Sequence, residues 1–127
     1  MNHRIPPIAF PLVALAALVL AVLAPAAPAE SVKTFDVTAS RFEFQPDTIE
    51  VIQGDHVKIT LHSADTTHGF AIAELKVKTK IPKGGAPVTA EFVADKPGTF
   101  LIKCSEYCGP GHKQMTATIV VTPKGGQ

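Results

Sequence analysis

Between His56 and Ser63 every second side chain is apolar: Val57, Ile59 and Leu61 alternate with His56, Lys58, Thr60 and His62. A period of two places the first set on one face of an extended strand and the second on the other, and a helix cannot sort them that way. Short runs of similar character recur down the chain. Val32–Ala39, Thr48–Ile52, Gly69–Ile72, Val88–Phe92, Thr99–Lys103 and Thr116–Thr122 are rich in β-branched or aromatic residues, and Leu75, Val77, Thr79 and Ile81 alternate with Lys76, Lys78 and Lys80. Turn-forming residues punctuate them at Pro46-Asp47, Gln53-Gly54-Asp55, Gly84–Pro87 and Asp95–Gly98. The pattern predicts an all-β fold of seven to eight short strands, a sandwich or barrel with Greek-key connections. Past residue 30 there is no helical periodicity, no internal repeat and no linker to a second domain; the tail Pro123–Gln127 reads as loose.

The first 29 residues are of another kind. Arg4 and the α-amino group form a short positive region, Leu12–Ala24 is an unbroken apolar run, and Ala27-Pro28-Ala29 offers a small-residue cleavage site. That is the pattern of a secretory signal peptide. The run falls short of the roughly 20 apolar residues a spanning helix wants, with prolines at 11 and 25 around it. Cleavage after Ala29 is the favoured reading. An uncleaved anchor over residues 8–29, touching the membrane, is its rival. The division expected is residues 1–29 as signal or anchor and 30–127 as one small domain, exported to the periplasm or held on the outer face of the inner membrane.

Charge narrows the function. Of twelve Lys and Arg one is Arg4, so the remaining eleven meet eleven Asp and Glu beyond residue 29. A balanced domain with one Tyr and no Trp is no nucleic-acid binder. The Lys76-Lys78-Lys80 stripe reads as a solvated strand face.

The chemistry is concentrated in twelve residues, Cys104-Ser105-Glu106-Tyr107-Cys108-Gly109-Pro110-Gly111-His112-Lys113-Gln114-Met115. They hold both cysteines, one of five histidines and the only methionine besides Met1. Thiolate, imidazole and thioether are the ligand set of copper electron-transfer sites. In an oxidising compartment two cysteines would ordinarily pair, but a bridge across four residues closes a tiny loop and gains little chain entropy. A single-copper blue site needs one Cys, two His and a weak Met, and leaves Cys104 idle. A two-copper site, with two bridging thiolates and one His per metal, uses it. The further His is His68, at a turn between two strands; His56 and His62 lie in phase with Lys58 and read as solvent-facing.

The segment Cys-Ser-Glu-x-Cys-Gly-x-x-His-x-x-Met resembles the CuA loop of cytochrome c oxidase subunit II, and Ser63-Ala64-Asp65-x-x-His68-Gly69-Phe70 resembles that family's first ligand segment. Similar loops occur in the CuA domain of nitrous oxide reductase. The likeness runs from about Phe42 to Val121. It implies a cupredoxin fold and a dinuclear copper centre that passes electrons and catalyses no reaction on its own. Cys104 and Cys108 would bridge the metals, His68 and His112 would each bind one, and Met115 and the backbone carbonyl of Glu106 would be weak axial ligands. It also implies a cytochrome c-like donor and a haem-copper oxidase catalytic subunit as acceptor.

Three departures from the family stand beside it. Oxidase subunits carry one or two membrane helices, and this chain has one short apolar segment. The family commonly receives electrons through tryptophan; here Phe42, Phe44 or Tyr107 would have to serve. Docking surfaces in the family are often acidic. Two other readings are a periplasmic copper carrier or assembly protein, which a single Met115 and a compact Cys pair disfavour, and a mononuclear blue-copper protein, which Cys104 disfavours.

Overall fold

The computed structural model describes residues 1–4, 7–8, 23–25 and 31–125. The signal or anchor expected over residues 1–29, and its boundary with the domain, fall largely outside the described residues. Among the described residues no helix is long and apolar enough to cross a membrane.

Among the described residues nine strands build the domain: β1 Val32–Ser40, β2 Glu43–Gln45, β3 Thr48–Ile52, β4 His56–Ser63, β5 His68–Ile72, β6 Val77–Ile81, β7 Val88–Val93, β8 Gly98–Lys103 and β9 Thr116–Thr122. They form two sheets, ordered β2-β1-β4-β7 and β3-β9-β8-β5-β6. β1 lies parallel to β4, with Val37 opposite Leu61, and β3 lies parallel to β9. The other pairings are antiparallel. The all-β sandwich is as expected. The strand count exceeds the expectation because Phe44 is drawn into the core within a three-residue strand too short to show a period of its own.

Alternation does the sorting. Val57, Ile59 and Leu61 of β4 are fully buried, as are Val37 and Ala39 of β1, and they meet Phe70, Ile72, Ile102 and Ile119 from the other sheet. Burying one such side chain stabilises the fold by about 1.5–3 kcal/mol, so this layer is the main cohesive term. Phe44 and Phe70 meet edge to face across the layer, ring centroids 5.8 Å apart. Leu75 does not belong to the strand of Val77. Ala73–Leu75 is a 3-10 turn, and Lys76 takes a left-handed conformation, φ 57°, to reverse the chain so that β6 returns along β5. The alternation of Leu75 with Val77 conceals that reversal.

One end of the sandwich collects the chemistry. β1 and β4 end there, β5 and β9 begin there, and β8 runs into the Cys104–Met115 loop there. A loop carried on rigid strand ends can hold side chains to a fixed geometry while varying freely in sequence.

Candidate metal centre

His68 opens β5 and is wholly buried. Cys104 follows the last residue of β8, and its amide donates to the Met115 carbonyl at 3.2 Å, closing the loop at its base. A 3-10 turn over His112–Gln114 brings Met115 back to the head of β9. The amides of His112 and Gln114 donate to the carbonyls of Gly109 and Gly111. Cys104, Cys108 and Met115 are buried, while His112 and Glu106 are half-buried.

The donor atoms converge. The two sulfurs lie 3.7 Å apart and unbonded. Cys104 Sγ is 4.0 Å from His68 Nδ1 and 3.1 Å from the Glu106 carbonyl oxygen. Cys108 Sγ is 3.7 Å from His112 Nδ1 and 3.8 Å from Met115 Sδ. The ligand atoms of His68, Cys104 and Cys108 all fall within 4.8 Å of one another. Thiolate–metal bonds of about 2.3 Å opening at a tetrahedral angle set two sulfurs roughly 3.8 Å apart. A disulfide would need about 2.05 Å. The spacing fits two sulfurs on a shared metal, and soft thiolate, thioether and imidazole donors suit copper.

Surrounding groups fix the donors. The outer nitrogen of His68, Nε2, lies 2.6 Å from Asp65 Oδ1, which leaves Nδ1 facing the sulfurs. A carboxylate on the far ring nitrogen fixes both the tautomer and the ring plane. Burial pushes the Asp65 carboxyl up, but the amide of Arg41 (2.7 Å), the His68 ring and the amide of Thr66 (2.6 Å) together outweigh it and hold it at about 2. Arg41 Nε donates to the Cys108 carbonyl at 2.8 Å. Burial, with Cys104 beside it, pushes the Cys108 thiol up to about 11, so without metal it is protonated at neutral pH.

Two glycines let the loop close. A Cβ on Gly69 would stand 2.7 Å from the Glu106 backbone nitrogen and overlap the Ser105 hydroxyl. One on Gly111 would run into the ring of Phe42, which lies over the loop.

The donor set and the strand topology agree with comparison to known proteins. The profile of the cupredoxin-like domain matches residues 12–121. The chain belongs to the cupredoxin-like family. Cytochrome c oxidase subunit 2 of Thermus thermophilus is 36% identical over 88 residues, 69% of this cupredoxin and 64% of that protein. Nitrous-oxide reductase of Cupriavidus necator is 34% identical over 93 residues, 69% of this chain but 14% of the reductase. The cupredoxin thus spans less than two thirds of either relative. The periplasmic domain of subunit II of cytochrome oxidase of Bradyrhizobium japonicum superposes with a TM-score of 0.64 at 23% identity, over 72% of this chain and 84% of that one. That likeness is one of fold.

The structure brings His68, Cys104, Cys108, His112, Met115 and the Glu106 carbonyl to one place. His56 and His62 stand apart on the outer face of the first sheet, half-buried rather than fully solvent-facing, with His62 Nε2 3.8 Å from Asp36. Phe44 is sealed in the core against Phe70 and cannot meet a partner, whereas Phe42 (37% exposed) and Tyr107 (77% exposed, its ring centroid 5.7 Å from that of His112) reach the surface. Arg41 and Phe42, as clamp and cover of the loop, have no local signal. Asp65 has one: a carboxylate three residues before a candidate ligand.

Proposed function

We propose that this cupredoxin is an electron-transfer domain that holds two copper ions and relays single electrons. The observation that carries the proposal is the division of the donors into two sets about one sulfur pair. His68 and the Glu106 carbonyl accompany Cys104, while His112 and Met115 accompany Cys108, with the sulfurs 3.7 Å apart. Cys104 and Cys108 would bridge the metals, His68 and His112 would each hold one, and Met115 and the Glu106 carbonyl would be the weak ligands. A copper pair bound there supplies a one-electron couple whose charge change is spread over two metals and two thiolates.

The residues of the chain do the rest. Asp65 keeps the His68 ring in plane with Nδ1 inward. Arg41 anchors the Cys108 carbonyl. The strands beneath His68 and Cys104 allow those two donors little room to move, which would keep the rearrangement accompanying electron transfer small. With every donor supplied by the protein, the copper pair would offer no open position to a substrate. Phe42 and Tyr107, whose rings reach the surface, would face a donor. The relatives support an extracytoplasmic domain with a cytochrome c-like donor and the catalytic subunit of a haem-copper oxidase as acceptor; residues 8–29 would supply any membrane contact.

Copper-loading of the full chain tests this. Two coppers per chain, with electron spin resonance showing one electron shared by both nuclei, is the expected result. One copper with a blue spectrum would overturn it. Cys104→Ser should abolish the shared signal and leave the circular dichroism of the fold intact.

A further inference from the structure

The outer faces of the two sheets carry charge differently. On the first, Lys58 pairs with Glu91 at 3.8 Å, and His62 Nε2 lies 3.8 Å from Asp36, an ion pair only when the ring is protonated. On the second, Lys78 and Lys103 flank Ala71 in a single row, because Ala71 is the partner of both. Lys80 stands in the next row opposite Gly69, and Lys76 is exposed at the head of β6. Among the described residues none of these four lysines makes an ion pair. Beside them Leu101, 43% exposed, and Ala71 line a shallow pocket of 170 Å³ with Ala73, Glu74 and Lys103.

Two ordinary explanations fall short. Lysines on an edge strand discourage edge-to-edge pairing, and β6 is an edge strand. Lys103, however, is on β8, which lies between β9 and β5. A solvated strand face accounts for one strand's alternation, but not for a row drawn from two strands around an apolar centre. The position matters too. Lys103 precedes Cys104, and Gly69 is roofed by Ser105 and Glu106, so the lysine rows run up to the loop that carries the sulfurs.

We infer that the outer face of β6-β5-β8 is a docking surface for an acidic protein partner, seated beside the metal loop. The inference rests on the electron-transfer reading for its purpose, but its geometry stands on the charge pattern alone. Lysines without ion-pair partners around the exposed Leu101 and half-buried Ala71 provide long-range attraction to carboxylates and a small apolar contact at the centre. Such attraction fades as salt shortens the screening length, about 10 Å at 0.1 M.

One cytochrome c in two charge states tests it: the unmodified basic protein and the same protein with its lysines succinylated. Each is titrated into the isotope-labelled, copper-free full chain, and amide shifts are mapped. The succinylated form should bind and shift Ala71, Lys78, Lys80, Leu101 and Lys103, with affinity falling as salt rises. Lys78→Glu, Lys80→Glu and Lys103→Glu together should slow association roughly 10- to 1,000-fold. The same three sites changed to Arg should restore it, with circular dichroism unchanged throughout. Tighter binding of the basic form, or shifts confined to Phe42, Tyr107 and His112, would overturn the inference. The copper-loaded chain is then assayed for electron exchange. Binding on this face without exchange supports the docking surface and removes the electron-transfer reading; exchange with shifts elsewhere does the reverse.

Discussion

The two halves of the donor cluster are built from different material. His68 and Cys104 sit at the junctions of β5 and β8 with the site, over a core that includes Phe70, and His68 is wholly buried. Cys108 and His112 sit mid-loop, held by the Arg41 guanidinium and covered by the partly exposed Phe42, with His112 half-buried. The first half inherits its rigidity from the sheet. The second depends on a few contacts that can be lost singly without unfolding the domain. On the proposed reading a relay would gain from such a split: a fixed side would protect the geometry, and a side near the surface would let electrons come and go.

Phe70→Ala should separate the halves most sharply. Phe70 is fully buried and stacks edge to face on Phe44, so its truncation should cost about 3–5 kcal/mol in thermal or denaturant unfolding. Tyr107→Ala, on the loop half, should leave the unfolding midpoint where it was, since that ring is mostly in solvent. Equal losses for the two would erase the distinction.

The loop half should also show itself by proton chemistry. With the Cys108 thiol raised from 9.0 to about 11 by burial and by Cys104, its thiolate fraction near neutral pH is roughly 100-fold below that of an ordinary thiol. Alkylation of Cys108 in the metal-free folded chain should therefore be slower than in the unfolded chain by about that factor. The folded form holds its proton more tightly, so this contribution to stability is whole below pH 9 and is lost as pH climbs through 11. Fast alkylation at pH 7 would show that the loop opens freely.

Asp65 tests the deep half. Asp65→Asn keeps the shape but weakens the grip on His68 Nε2, and should loosen metal binding by about 10- to 100-fold, read by competition with a chelator. The linkage has the opposite sign to that of Cys108. A carboxyl held at about 2 contributes stability above pH 3.8 and loses it as pH falls through 2, so the acid limb of the unfolding curve should shrink in Asp65→Asn.

The fold was legible where burial follows a period of two, as along β4, and less so where a turn falls in phase with it. Leu75, Lys76 and Val77 look like one strand because a single 3-10 turn between β5 and β6 preserves the alternation. The candidate donors stood out in the sequence because five of them, counting Glu106, lie within twelve residues, and His68 stood out against that cluster. What encloses them was not legible. Arg41 reaches Cys108 across 67 residues, and Lys103 joins Lys78 only because β5 lies between β8 and β6. Both depend on strand order, which the period of the side chains does not encode.

The smallest effects should come from the two glycines, and they separate the halves most finely. A methyl on Gly69, itself in β5, meets the backbone nitrogens of Glu106 at 2.7 Å and Ser105 at 2.8 Å, so main chain rather than a side chain must shift. Gly69→Ala should therefore cost about 1–3 kcal/mol and displace the loop from the sheet. The three atoms nearest a methyl on Gly111 all belong to the Phe42 ring, which is 37% exposed, so a side-chain rotation rather than a main-chain shift can relieve the overlap. Replacing glycine with alanine also removes freedom from the unfolded chain, worth about 0.4–1 kcal/mol in the other direction. Gly111→Ala should thus leave the unfolding midpoint nearly unchanged. With its ring displaced, however, Phe42 no longer covers the loop, and metal should leave faster to a chelator. A stability loss at Gly111 as large as that at Gly69 would mean that the loop half is packed as rigidly as the sheet half.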